Sequence, residues 1–173
     1  MGLIPTEKEA FELLKKENTS ESVIAHCKAV TELVKELING LSLKNEIAVA
    51  GAVLHDIGRS KSQGVRHGFL GAEILRKHGV DEQVVKIVER HVGAGIPREE
   101  AVKLGMPDRD LVPKTVEEKI VCYADKLLLG TYVATEAESI YEFKKKLGNG
   151  HPAVRRMEKL FQDVKRIIGD KDV

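Results

Sequence analysis

Residues 47–54 read IAVAGAVL and run directly into His55 and Asp56. As a helix this run is apolar all round, with no face to offer to solvent, so it belongs at the centre of a fold. Its length and alanine content favour a helix over 44–57, closed by Gly58. The run is far too short to cross a bilayer. An imidazole and a carboxylate at the end of so apolar a helix require partners, because an unpaired buried carboxylate costs several kcal/mol.

The remaining segments read as further helices joined by short glycine or proline breaks. Pro5-Thr6 opens one that reaches about Lys16, and Ser20 caps a second that runs to Asn39-Gly40. After a polar loop over 59–66, helices are predicted from Gly68 to His78, from Asp81 to about Gly93, and briefly around 98–104. Thr115 with Glu118 has the form of a capping box for a long helix to about Leu129. Amphipathic helices over 136–147 and 152–168 follow. No repeat, linker or low-complexity stretch divides the chain. The expectation is one all-α domain over 1–173, a bundle of about seven or eight helices. Its core spans about 20–129, and the helices of 136–168 pack on it.

Composition narrows the class. Aromatic residues make up 4% of the 173 and tryptophan is absent, so Leu, Ile, Val and Ala must build the core. With 28 basic and 27 acidic residues, bulk charge does not suggest nucleic-acid binding. Cys27 and Cys122 form no CxxC pair, and the N-terminus lacks the pattern of a secretory leader. Both thiols are therefore read as reduced and buried in a cytoplasmic protein without a membrane span.

Two more ionisable groups stand on apolar faces. His26 shares a helical stripe with Val23, Val30, Leu33 and Leu37. Asp125 lies among Val121, Cys122, Leu128 and Leu129. Read alone, His26 is a core histidine bonded to a carbonyl, and Asp125 pairs with Lys126 or Arg90. Read together with His55 and Asp56, two imidazoles and two carboxylates from separate helices suit a divalent transition metal such as Fe, Mn, Zn, Ni or Co. His91, with Val84, Ile87 and Val88 on its face, and His67, before the fourth helix, could add a second metal with Asp56 as the bridge. The alternatives are a helix-terminal cation for His91 and a solvated loop residue for His67. His78 and His151 read as helix-boundary residues without a site role.

The pattern His26, His55-Asp56, Asp125 resembles the HD-domain superfamily of metal-dependent phosphohydrolases, and HDIGR resembles its HDIG subgroup. The resemblance covers about residues 20–129. The chain is similar to small archaeal HDIG proteins. It also resembles the bacterial HD-type hydrolases of symmetrical dinucleoside tetraphosphates, which carry two irons. Their added motifs match His67-Gly68 with Gly71-Ala72, His91 with Gly93 or Gly95, and Glu118-Lys119-Ile120 with Ala124-Asp125. The resemblance implies His26, His55, Asp56 and Asp125 as ligands of a first metal, and His67 and His91 as ligands of a second. The chain departs from many members in having Arg59 where they have lysine, and in the stretch between Ala94 and Val116.

The implied reaction is hydrolysis of a nucleotide or small phosphate ester, centred on His55 and Asp56. Bound metal acidifies water and polarises a phosphoryl oxygen. Arg59, Lys61 and Arg66 are candidate phosphate clamps, with solvated loop charges as the alternative. Lys126 reads either as reaching the site or as facing outward. A dinucleoside polyphosphate is the first substrate to expect. A cyclic or simple nucleoside monophosphate with one metal, or a non-catalytic nucleotide-binding module, are the rival readings. A homodimer is compatible with all of them.

Overall fold

Helix starts follow the side-chain caps that the sequence offers. Thr6, Ser20, Asp81, Thr115 and Thr135 each accept a backbone N–H from the first turn that follows. The resulting computed structural model describes residues 2–169 and is all-helical in character. Its elements begin with α1 (Glu7–Lys16), α2 (Glu21–Ile38), α3 (Asn45–Leu54) and a 3-10 turn (Ile57–Ser60). They continue with α4 (His67–Lys77), α5 (Glu82–Arg90), α6 (Arg98–Lys103) and α7 (Val116–Leu127). After a small hairpin, β1 (Leu128–Leu129) and β2 (Tyr132–Val133), come α8 (Glu136–Leu147) and α9 (Pro152–Ile168). No helix among the described residues is long and apolar enough to cross a membrane.

The all-round apolar segment is central, as its composition requires. Helix α3 touches α1, α2, α5 and α7, and every residue of 50–54 is buried. Gly51 lets Ile87 of α5 press onto the α3 backbone: a Cβ there would stand 2.5 Å from the Ile87 Cδ1. The surrounding core is built of Leu, Ile, Val and Ala, with both cysteines free and buried within it. Helix α9 closes the bundle by packing on α7 and α8.

The structure departs from the sequence expectations in four places. Helix α3 stops at Leu54, because the His55 ring takes the Ala52 carbonyl and the chain tightens into a 3-10 turn. Helix α7 stops at Leu127, and the apolar residues expected to extend it form β1 instead. A two-residue turn at Gly130, with φ +70°, reverses the chain into β2. Thr115 caps α7, but Glu118 does not complete the box. Its carboxylate accepts both oxygens' bonds from Arg90 and one from the Lys114 N–H. Finally, residues 93–114 are more than a connection: Ile96, Ala101, Met106 and Leu111 form a small second core with Phe69 and Val92.

Gly58 governs how the 3-10 turn meets α4. A Cβ on it would collide with the His67 carbonyl oxygen and stand 2.6 Å from the Gly71 nitrogen. This close approach brings the residues flanking Asp56 against the first turn of α4. Gly58→Ala is therefore expected to lower stability by about 1–3 kcal/mol, the usual cost of overpacking against an unyielding neighbour, as read by urea unfolding.

Candidate metal centre

Five helices deliver six side chains to one cluster. His26 comes from α2, His55 and Asp56 from the end of α3, His67 from the first residue of α4, His91 from the end of α5, and Asp125 from α7. Asp125 Oδ1 lies 2.9 Å from His26 Nε2 and 3.5 Å from His55 Nε2. Asp56 Oδ1 lies 3.1 Å from His67 Nε2 and 3.4 Å from His91 Nε2, and Asp56 Oδ2 is 3.6 Å from His55 Nε2.

The histidine tautomers follow from the opposite ring nitrogens. Each Nδ1 faces a backbone carbonyl: His26 that of Gly130 at 2.6 Å, His55 that of Ala52 at 2.7 Å, His67 that of Gly64 at 2.8 Å and His91 that of Val88 at 2.8 Å. A carbonyl only accepts, so the proton of each neutral ring sits on Nδ1 and the Nε2 lone pair points inward. Among the described residues, His55 Nε2 and Asp56 Oδ1 are buried without a hydrogen-bond partner, and the His67 and His91 Nε2 atoms face each other at 3.1 Å. Inward Nε2 lone pairs crowded against carboxylate oxygens fit a cation. Two sets, His26-His55-Asp125 and His55-Asp56-His91, each have ligand atoms within 4.8 Å of one another. Nitrogen and carboxylate oxygen in this ratio suit a divalent transition metal better than an oxygen-seeking ion.

The electrostatics match. Burial alone would raise the Asp56 carboxyl, but His55, His67 and His91 hold it far below the usual carboxylate range. Asp125 is likewise disfavoured as an anion by burial, and Lys126, His26 and His55 override this. Burial works against a charged His55, while the Cys27 thiol and the Asp56 and Asp125 carboxylates raise it. His91 is lowered to about 4 by burial and by its imidazole neighbours, so it is a neutral donor across the physiological range. Burial pushes the Cys122 thiol up to about 12, which makes it no nucleophile. Its S–H instead donates to the His91 carbonyl at 3.3 Å.

The basic residues divide. Arg59 donates from Nε to Asp56 Oδ2 at 2.7 Å, and Lys126 donates to Asp125 Oδ2 at 2.6 Å. Lys126 thus faces the centre, and Arg90 is engaged elsewhere, by Glu118. Lys61 turns to Glu17 at 3.7 Å, and Arg66 is exposed without a side-chain partner among the described residues. His78 also bonds Glu17, and His151 caps α9, both at helix boundaries as expected. The side chains of His26, Lys126 and Arg59 are 17, 16 and 30% exposed, whereas His55 is fully enclosed. The centre therefore opens on the side of α2, α7 and the 3-10 turn. The carbonyls of Ala52, Gly64, Val88 and Gly130 carry no sequence signal of their role, since any residue supplies the same group.

Two outcomes are expected. In an NMR titration of metal-free protein, His91 takes up its proton only as the pH falls to about 4. Because an unfolded histidine protonates near pH 6.5, the stability that His91 contributes at neutral pH is lost on acidification across that interval. In thermal or denaturant unfolding, free manganese at about 100-fold over its Kd adds roughly 2.7 kcal/mol of stability, and His55→Ala removes the increment.

Comparison with known proteins agrees with this geometry. The HD-domain family model matches residues 23–129, a span that contains all six side chains. The chain is 45% identical to the uncharacterized protein MJ0778 of Methanocaldococcus jannaschii, over 86% of this chain and 91% of that one. It is 40% identical to the tRNA (cytidine(56)-2'-O)-methyltransferase of Picrophilus torridus over 96% of its own length, and spans 48% of that relative. Among solved structures, the HD domain of the Listeria monocytogenes phosphodiesterase PgpH, in complex with cyclic-di-AMP, shares the fold. The TM-score is 0.55 at 16% identity, covering 94% of this chain and 99% of that one. On the family match, which spans more than half of its length, the chain belongs to the HD-domain family.

Proposed function

We propose that this chain is a metal-dependent phosphohydrolase acting on a nucleotide or another small phosphate ester. The observation that carries the reading is two overlapping donor sets, His26-His55-Asp125 and His55-Asp56-His91, with His67 against Asp56 and a cation, Arg59 or Lys126, on each carboxylate. In this reading His26, His55, Asp56, His67, His91 and Asp125 hold one or two divalent transition ions, Fe, Mn, Ni, Co or Zn. Such an ion supplies an acidified water as nucleophile and polarises the phosphoryl oxygen.

The chain's own groups do the rest. The four carbonyl–imidazole bonds keep the donor atoms aimed before any ligand arrives, which avoids reorganisation during the reaction. Asp56 is the carboxylate that faces His55 through one oxygen and His67 and His91 through the other, so it is the residue that two ions would share. Arg59 and Lys126 stand at the opening as phosphate ligands, the first with a planar fork of donors and the second as a point charge. Lys61 and Arg66 are weaker candidates for that role, since neither contacts the centre.

Two nucleosides joined through phosphate is the substrate class we favour. The dinucleoside tetraphosphates of the bacterial enzymes it resembles and the cyclic-di-AMP bound by the PgpH domain share that plan. Purified protein loaded with manganese or iron should hydrolyse at least one of diadenosine tetraphosphate, cyclic-di-AMP, AMP and bis(p-nitrophenyl) phosphate. Asp56→Asn should lower kcat by on the order of 10³ or more. Lys126→Met should raise KM about tenfold, the worth of one charge-assisted phosphate contact. A nucleotide bound tightly but recovered intact would replace the hydrolase with a binding module, and absence of both binding and turnover would sink the reading.

A further inference from the structure

The hairpin after α7 is placed at the mouth of the centre by a direct bond. The Gly130 carbonyl at its turn accepts from His26 Nδ1 at 2.6 Å, and His26 is among the more exposed of the six side chains. The strand that enters this turn follows closely on Asp125 and Lys126, with Leu129 four residues beyond Asp125. The hairpin therefore stands directly beside one of the more exposed donors of the centre.

Its two strands pair Leu128 with Val133 and Leu129 with Tyr132. Side chains alternate across a strand, so paired residues share a face. Leu128 goes into the core, at 5% exposure. Leu129 and Tyr132 therefore lie together on the opposite face, 40% and 61% exposed. Of the chain's three tyrosines two are exposed, Tyr132 and Tyr141, and Tyr132 is the one two residues from the carbonyl that holds His26. Tyr123, by contrast, is buried against Phe161 and bonded to Glu136.

We propose that Leu129 and Tyr132 form a nucleobase platform at the rim of the centre, on which the base of a nucleotide stacks while its phosphate reaches the donor cluster, Arg59 and Lys126. The proposal rests on the phosphohydrolase reading and adds the base as a recognised part of the substrate. Stacking on an aromatic ring tolerates any base, so the platform selects nucleotides over base-free phosphates rather than one nucleotide over another. The Tyr132 ring supplies the area and Leu129 the flanking apolar contact.

The test compares AMP, ribose 5-phosphate and inorganic phosphate on manganese-loaded protein by calorimetry, with KM values in place of dissociation constants for any ligand that is turned over. AMP should bind about tenfold tighter than ribose 5-phosphate, or more. Tyr132→Ala should remove that advantage, Tyr132→Phe should keep it, and inorganic phosphate should bind all three proteins alike. Melting temperatures should be unchanged, since the ring is exposed. No advantage for AMP in the unmodified protein, or an advantage that survives Tyr132→Ala, overturns the platform and leaves the hydrolase reading standing. Equal weakening of AMP and phosphate by Tyr132→Ala also overturns it, and assigns the hairpin to holding His26. Failure of every phosphate to bind overturns both.

Discussion

The bond from an imidazole Nδ1–H to a backbone carbonyl, made four times over, is the interaction on which the rest of the structure depends. It fixes which nitrogen carries the proton and which way the ring faces, and it does so with groups that belong to the scaffold. The carbonyls belong to α3, α5, the loop before α4 and the hairpin turn, so the centre is as rigid as the packing between these elements. Without such anchors, four histidines near two carboxylates would rotate to satisfy one another. With them, the Nε2 lone pairs stay turned inward, that of His55 without a partner among the described residues, at a cost that the folded bundle bears.

That cost explains why the most apolar helix carries the most polar ending. Helix α3 is held on several sides by neighbouring helices, and only such a fixed element can hold His55 and Asp56 in place against their own burial. The three glycines 51, 58 and 71 serve the same end by close approach, letting α5, α3 and α4 meet with less than a side chain between them. Helix α4 is pressed against the 3-10 turn through Gly58, and this brings His67 within reach of Asp56.

Around the centre, charge is arranged by depth. The enclosed donors His67 and His91 face Asp56, the more exposed His26 faces Asp125, and His55 stands between the two carboxylates. Each carboxylate accepts from a nearby cation through Oδ2, Asp56 from Arg59 and Asp125 from Lys126, and turns Oδ1 to imidazoles. Away from the opening, the buried carboxylates Glu89 and Glu118 are each held by arginine, Glu89 by Arg76 and Arg109, Glu118 by Arg90. The Arg109–Glu89 pair fastens the segment of the small second core to α5, while the other two join α4 to α5 and α5 to α7. The burial that would raise Glu89 is outweighed by its two arginines, which keep it ionised.

The sequence by itself determined the helical class, the central helix and the presence of a polar cluster. It could do so because an imidazole or carboxylate on an apolar helical face has too high a cost to be accidental, which made His26, His55, Asp56 and Asp125 legible. His67 and His91 were legible mainly through family resemblance, since a loop histidine and a helix-end histidine each have an inexpensive alternative. Tertiary structure alone decided which basic residues reach the centre. Arg59 and Lys61 are two positions apart in one polar stretch, and only the 3-10 turn sends one to Asp56 and the other to Glu17. It also decided where α7 ends. Residues 127–129 are three leucines that continue a helical pattern, and the hairpin forms because Gly130 allows a turn whose carbonyl His26 then holds. Local sequence records what each residue costs to bury; which distant group meets that cost is settled only when the chain is packed.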